Sequence, residues 1–158
     1  MADVKKGIIL KGIGGLYFVE TADAVFECKA RGIFRKSGQK PLVGDEVDIL
    51  IGEDGANNTV EKIYPRRSEL MRPPVANLDR LFILSSVRDP NPSTLIIDKM
   101  TAIACWKNIE PVIVITKDDL GDTSELRGIY EKAGIPFFSV SSRDGRGADE
   151  VKAMLSGH

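Results

Sequence analysis

Two patterns of apolar and polar positions follow one another along the chain. From Gly7 to about Pro65, short apolar stretches alternate with turns: Ile8-Ile9-Leu10, Leu16-Tyr17-Phe18-Val19, Val25-Phe26-Glu27-Cys28-Lys29, Glu46-Val47-Asp48-Ile49-Leu50-Ile51 and Thr59-Val60-Glu61-Lys62-Ile63. They predict five strands, with no helical period among them. Five short strands in about sixty residues suit a small closed barrel, and the oligonucleotide-binding fold is the commonest five-stranded solution. Gly12, Gly14 and Gly15 are expected to let the first strand bend at the barrel corner.

The next stretch breaks the pattern. Arg66-Arg67-Ser68-Glu69-Leu70-Met71-Arg72-Pro73-Pro74 mixes charge with a proline pair that is expected to join neither strand nor helix ladder, so residues 66–78 read as a semi-rigid linker. From residue 79 strands and helices alternate. A strand is predicted over 81–86, then a helix from Thr94 to about Lys107 with Ile96, Met100, Ile103 and Ala104 on its apolar face. Val112-Ile113-Val114-Ile115 follows, β-branched throughout and so buried on both sides of a sheet. A second helix runs from about Ser124 to Ala133, with Leu126, Ile129, Tyr130 and Ala133 inward and Gly134 as its stop. Phe137-Phe138-Ser139-Val140 is the third strand, and Ala148 begins a last helix. Right-handed crossovers make residues 79–158 a parallel three-stranded α/β unit behind a barrel at 1–65.

Composition excludes several classes. With 158 residues, 42% hydrophobic and 28% charged, the chain reads as soluble and globular. No apolar run approaches the ~20 residues of a membrane span. Met1-Ala2-Asp3-Val4-Lys5-Lys6 lacks the apolar region of a signal peptide, so no membrane and a cytoplasmic location are expected. Cys28 and Cys105 read as two buried thiols, neither a disulfide framework nor a metal site. The only histidine is His158, which leaves no histidine triad or zinc site to this chain alone. No Gly-Lys pair occurs, so the phosphate-loop pattern G-x-x-x-x-G-K-S/T is absent.

The candidate chemistry lies where apolar runs stop in polar loops. Thr116-Lys117-Asp118-Asp119 follows a central strand, at the carboxyl edge where open α/β sheets bind ligands. The Asp119 carboxylate suits guanine, accepting from both its ring N–H and its exocyclic amine. Lys117 can lie along the base and the nucleotide-binding loop, and Thr116 can tie the loop to its neighbour. Ser141-Ser142-Arg143 leaves the next parallel strand on the same edge. There the Ser142 N–H can donate to the guanine carbonyl and Ser141 can brace Asp119, while Gly145 and Gly147 allow the turn back into a helix. Capping of the helix near Thr123 by Asp119 or Asp122 is the plainer use of this loop. In the barrel, Lys29, Arg31, Arg35, Lys36 and Lys40 fall between Cys28 and Gly44 with no acidic residue among them, and Phe34 stands in their midst. Cations for phosphates and an aromatic face for stacking make an RNA footprint, although a net charge of −1 gives no global basic signal. A solvated loop with Phe34 packed on the barrel is the alternative.

These residues resemble a known family. Thr116-Lys117-Asp118-Asp119 resembles the fourth GTPase motif and Ser141-Ser142-Arg143 the fifth. Pro73-Pro74-Val75-Ala76-Asn77-Leu78-Asp79 resembles the linker of ribosome small subunit-dependent GTPase A, a circularly permuted bacterial GTPase family. The barrel is similar through Gly15-Leu16-Tyr17-Phe18-Val19, Cys28-Lys29-Ala30-Arg31-Gly32 and Val43-Gly44-Asp45-Glu46-Val47. The resemblance implies an oligonucleotide-binding barrel, GTPase motifs in the order four, five, one, two, three, and then a zinc-binding domain. It also implies GTP hydrolysis stimulated by the small ribosomal subunit and a role in late 30S maturation, with 16S rRNA as partner.

Against that pattern, motifs one, two and three are missing. Asp118-Asp119-Leu120-Gly121 and Asp144-Gly145-Arg146-Gly147 fit a loose D-x-x-G, but each lies inside another motif. The chain is therefore expected to be a fragment carrying a partial permuted P-loop GTPase domain. It would bind GTP or GDP through Thr116, Lys117, Asp118, Asp119, Ser141, Ser142 and Arg143, with no catalytic or metal residue of its own. Mg²⁺ and Zn²⁺ belong to the parts it lacks. In the usual GTPase strand order the missing strand lies beside residues 81–85, so that edge is expected to pair, be covered or self-associate. The rival reading is a non-catalytic RNA-binding protein whose α/β unit is a docking module.

Overall fold

A computed structural model describes residues 3–32, 34, 38–53 and 57–155, which divide into two compact units, Met1–Leu78 and Asp79–His158. In the first, β1 (Asp3–Ile13), β2 (Leu16–Thr21), β3 (Val25–Ala30), β4 (Glu46–Ile51) and β5 (Asn58–Ile63) close into a barrel of order β1-β2-β3-β5-β4. Only β3 and β5 pair in parallel. The alternation that marked the strands points Ile9, Val19, Val47, Ile49 and Val60 inward, all buried. Strand β1 starts earlier than expected because residues 3–8 pair with β4, from Asp3 opposite Ile51 to Ile8 opposite Glu46; Lys5 and Lys6 meet Asp23 at 2.6 Å and Glu46 at 2.8 Å. Gly14 and Gly15 do not bend that strand. Both have positive φ, 59° and 89°, and form the two-residue turn between paired Ile13 and Leu16. The irregularity in β1 is instead the register shift between Ile9 and Lys11.

The stretch expected as a linker is structured. Short strands β6 (Glu69–Met71) and β7 (Pro74–Ala76) pair as a hairpin that belongs to the first unit. Pro74 is tolerated because it opens a strand whose partner demands little of its missing N–H. The hairpin is fastened to the barrel: Ala76 N–H donates to the Val43 carbonyl at 2.9 Å, and the Asn77 amide to the Gly44 carbonyl at 2.8 Å. Gly44, at φ 87°, is required here, since a Cβ would lie 2.1 Å from the Ala76 carbonyl oxygen. Arg66 seals the junction. Its guanidinium donates to both carboxylate oxygens of Asp45, at 2.7 and 2.8 Å, to Glu69 at 2.9 Å and to the Lys40 carbonyl at 2.7 Å. Asp45 is fully buried and also accepts from the Leu42 N–H at 2.7 Å. These partners hold the Arg66 guanidinium more firmly protonated than usual, with Asp45 the principal cause.

The second unit is a three-stranded parallel sheet of order β10-β9-β8, built from β8 (Arg80–Ser86), β9 (Glu110–Thr116) and β10 (Phe137–Ser139). Helices α1 (Thr94–Trp106), α2 (Ser124–Lys132) and α3 (Ala148–Leu155) follow the strands. Val112, Ile113, Val114 and Ile115 are all buried, as a strand covered on both faces requires. Helix α1 turns a different face inward from the one expected: Ile97, Thr101 and Ala104 are buried, while Ile96, Met100 and Ile103 are exposed. The helix is apolar on two sides, so periodicity alone does not select the face that meets the sheet. Asp98 accepts from the Tyr130 hydroxyl of α2 at 2.8 Å, and burial with this bond pushes the phenol up to about 12. On α2 only Leu126 and Tyr130 of the expected face pack inward; Ile129 and Ala133 are exposed. Cys28 is buried and its thiol is pushed up to about 11 by desolvation, whereas Cys105, expected to be buried, is exposed on α1.

Breaking the Arg66–Asp45 pair should unfold the barrel unit preferentially, because it strands a buried carboxylate. Arg66→Ala is expected to cost about 3–5 kcal/mol, read by urea titration with hydrogen exchange of barrel amides. A loss below about 1 kcal/mol would mean that the hairpin is not what holds residues 40–45.

Candidate functional site

Parallel registration decides which loops meet. Ser139 of β10 is level with Ile115 of β9, and Thr116 of β9 with Ser86 of β8, so the residues after β9 and β10 emerge on one edge. Thr116 Oγ1 donates to the Ser85 carbonyl at 3.2 Å, tying its loop to β8. Lys117 then takes a left-handed conformation, φ 59°, which reverses the chain into the short helical turn Asp118–Leu120. Its ammonium donates to the carbonyls of Arg88, at 3.2 Å, and Asp89. The Asp118 N–H donates to the Val140 carbonyl at 3.1 Å, joining the two loops through their backbones.

Side chains complete the junction. Ser141 is buried and its hydroxyl donates to Asp119 Oδ1 at 3.0 Å. Arg143, exposed, stands 3.9 Å from Asp119 Oδ2. Asp118, the free position of the motif, receives Arg146 at 3.0 Å, and the same guanidinium meets Asp144 at 2.8 Å. Bonds from the Arg146 backbone N–H, then the Ser141 hydroxyl and the Arg146 side chain, hold the Asp144 carboxyl below its ordinary range, and Asp144 in turn raises Arg146. Sequence reasoning passed over Arg146; an arginine four residues past a serine-rich turn carries no distinctive signal. Ser142 is exposed and its N–H has no hydrogen-bond partner among the described residues. Asp122, not Asp119, caps α2: it accepts from the Ser124 N–H at 3.0 Å and hydroxyl at 2.7 Å, bonds that lower its carboxyl. Asp119 is thus left to the edge where Thr116, Lys117, Asp118, Ser141, Ser142 and Arg143 gather.

The basic cluster of the barrel is less uniform. Arg31 is paired with Glu61, so its charge is compensated. Phe34 is 9% exposed and packs in the barrel core, which corrects its expected role as a stacking face. Lys29 and Lys40 are exposed and have no ion-pair partner among the described residues, while Arg35 and Lys36 lie outside those residues. No group of three or more His, Cys, Asp or Glu among the described residues is placed to hold a metal ion. No helix among them is long and apolar enough to cross a membrane.

A five-stranded barrel followed by a parallel α/β unit with these two edge loops is the architecture of a circularly permuted GTPase. Two solved structures share it: YloQ, described as a circularly permuted GTPase, with TM-score 0.77 and 31% identity, covers 89% of this chain and 53% of its own. YjeQ from Thermotoga maritima gives TM-score 0.83 and 31% identity over 98% of this chain and 58% of its own. Residues 6–57 match the RsgA N-terminal domain and residues 63–158 match RsgA GTPase. The chain belongs to the RsgA GTPase family. The small ribosomal subunit biogenesis GTPase RsgA of Alkaliphilus metalliredigens is 42% identical over 98% of this chain, and that of Ruminiclostridium cellulolyticum 41% identical over 96%. The chain spans about half the length of these relatives, 54% and 52%.

The loop after β10 depends on Gly147. Its φ is 73°, and a Cβ there would lie 2.2 Å from the Ser139 carbonyl oxygen, inside the strand end that carries Ser141. Gly147→Ala is expected to displace residues 141–147 and cost about 1–3 kcal/mol. Faster hydrogen exchange at the Ser141 and Gly145 amides, with barrel amides unchanged, is the signature; native protection throughout would refute the steric assignment.

Proposed function

We propose that this chain is the RNA-contacting and guanine-reading portion of a GTPase that acts in small ribosomal subunit biogenesis. The observation that carries the guanine reading is the bond from Ser141 Oγ to Asp119 Oδ1, which braces a carboxylate at the sheet edge beside the left-handed Lys117. Asp119 would accept from the guanine ring N–H and amine, the free Ser142 N–H would donate to the carbonyl, and Arg143 would flank the base. The names of the relatives support small-subunit biogenesis as the process. We propose 16S rRNA as the partner of the barrel. Without a G-x-x-x-x-G-K-S/T segment in its sequence, this chain supplies no phosphate cradle and is not expected to turn over GTP by itself. A cytoplasmic location follows from the same reading.

The barrel would meet RNA through the uncompensated Lys29 and Lys40, with Arg31 drawn from Glu61 only at a cost. Self-association is the remaining part of the proposal. Strand β8 has no partner on its outer side among the described residues. The exposed Ile96, Met100 and Ile103 of α1 lie on the side away from Asp98, and so away from α2. An open edge flanked by an apolar stripe invites pairing with a second copy. Sedimentation velocity of this 158-residue chain should show concentration-dependent oligomers that Ile103→Glu disperses; a monomer at every concentration would count against it.

The base assignment is tested by changing what Asp119 offers. Hydrogen bonds to a charged group contribute about 1.5–3 kcal/mol each. Asp119→Asn turns one acceptor into a donor that faces the guanine amine, whereas xanthine presents a carbonyl there. In a full-length relative carrying the equivalent change, GTP affinity should fall at least about tenfold, roughly 1.4 kcal/mol, while xanthosine triphosphate affinity rises. Undiminished GTP binding would reduce Asp119 to a loop-structuring residue, and its guanine assignment would fail.

A further inference from the structure

The span from Val140 to Arg146 is fastened at both ends to one residue. The Val140 carbonyl accepts from the Asp118 N–H at 3.1 Å, and Arg146 Nη1 donates to Asp118 Oδ2 at 3.0 Å. Asp118 is itself held firmly. Its side chain is only 16% exposed, and Oδ1 accepts from the hydroxyl of buried Thr123 at 3.4 Å, a group that also lies 2.8 Å from Ser139 Oγ. A carboxylate engaged on both oxygens by donors from separate parts of the chain keeps a fixed direction. Asp119 beside it differs: among the described residues its Oδ2 has only the exposed Arg143, at 3.9 Å.

The span is also closed on itself. The Ser141 N–H donates to the Arg146 carbonyl at 3.0 Å, the Gly145 N–H to the Ser141 carbonyl at 2.9 Å and the Arg143 N–H to the Ser141 hydroxyl at 3.3 Å. Arg146 is tied into it a second time, through its N–H to Asp144 Oδ1 at 3.1 Å and its Nη2 to Asp144 Oδ2 at 2.8 Å. A loop with these internal bonds moves as a body, so the bond from Arg146 to Asp118 sets where the Ser142 N–H stands relative to Asp119. An isolated ion pair at an exposed arginine contributes little. Here one guanidinium is shared between two carboxylates, and one of them is largely buried, which makes a small network of fixed geometry.

We propose that Arg146 is a positioning residue for guanine recognition: pinned to Asp118, it holds the Ser142 N–H toward the guanine carbonyl while Asp119 reads the ring N–H and the amine. In this assignment, which rests on the reading of Asp119 and Ser142 as guanine contacts, Asp118 is the peg of the loop and not a contact to the nucleotide.

The test is NMR titration of the 158-residue chain and its variants with mononucleotides, with thermal unfolding to verify the fold. Thioguanosine monophosphate keeps the ring N–H and the amine but puts sulfur, a weak acceptor, in place of the carbonyl oxygen. Inosine monophosphate keeps the carbonyl and lacks the amine. The parent should prefer guanosine monophosphate to both. Arg146→Ala should shrink the preference over the thio analogue about three- to tenfold. It should leave the preference over inosine monophosphate unchanged, since Ser141 still braces Asp119. Arg146→Lys, which cannot fork between two carboxylates, should restore only part of the loss. Asp118→Asn should reproduce the change made by Arg146→Ala, and the double variant should add little further.

An unaltered thio preference in folded Arg146→Ala overturns the positioning role and leaves the guanine reading standing. Equal loss of both preferences makes Arg146 a general support of the two loops and overturns its particular role at Ser142. A parent that binds guanosine monophosphate no better than adenosine monophosphate, or binds neither, overturns the guanine reading and this assignment together.

Discussion

Parallel pairing at β9 is the constraint on which the α/β unit depends. A strand with Val112, Ile113, Val114 and Ile115 all buried cannot lie at a sheet margin, so it must have a neighbour on each side and a helix layer over each face. Parallel neighbours then leave the sheet on one edge. Ser139 and Ile115 are level, and the bond from Asp118 N–H to the Val140 carbonyl closes the gap between the loops that follow them. The proximity of Asp119 and Ser141, 22 residues apart in sequence, is a consequence of that register and not of any affinity between the two side chains. Shifting β10 by one residue would turn Phe137 out of the core and carry Ser141 away from Asp119 together.

In the barrel unit the corresponding role falls to a charged pair. Asp45 is fully buried beside three donors, the Leu42 N–H and two nitrogens of Arg66, and the guanidinium also reaches Glu69 and the Lys40 carbonyl. Such a pair contributes less to net stability than to choice of conformation, because desolvating both ions offsets most of their attraction. Its effect is to bind residues 40–45 to the hairpin through geometry that neither a lysine nor an apolar residue reproduces. The backbone at Lys40 is thereby fixed through its carbonyl, while its exposed side chain has no ion-pair partner among the described residues.

Legibility in the sequence followed the number of physical signals per element. The five barrel strands and three α/β strands each combined alternation or a β-branched run with turn residues, and all were found. The β6–β7 hairpin was missed because Pro73-Pro74 is a strong local signal for irregular chain, and only the tertiary partners at Val43, Gly44 and Asp45 override it. The inward face of α1 was misjudged because Ile96, Met100 and Ile103 make as good a stripe as Ile97, Thr101 and Ala104; composition does not say which one meets a sheet. Asp119 and Ser141 were legible because each ends a strand whose direction was clear. Arg146 was not, since it matters only through Asp118 and Asp144, neighbours brought by the fold.

The same distinction separates charge from charge available to a ligand. In sequence, Lys29, Arg31 and Lys40 look alike; in the fold Arg31 faces Glu61 across the parallel β3–β5 seam, and only the two lysines are uncompensated among the described members of the cluster. A cation already paired must exchange one anion for another, so its net contribution to phosphate binding is close to zero, whereas an unpaired one releases condensed counterions in full. Among the described members of the cluster, the proposed RNA contact therefore draws on Lys29 and Lys40 and not on Arg31.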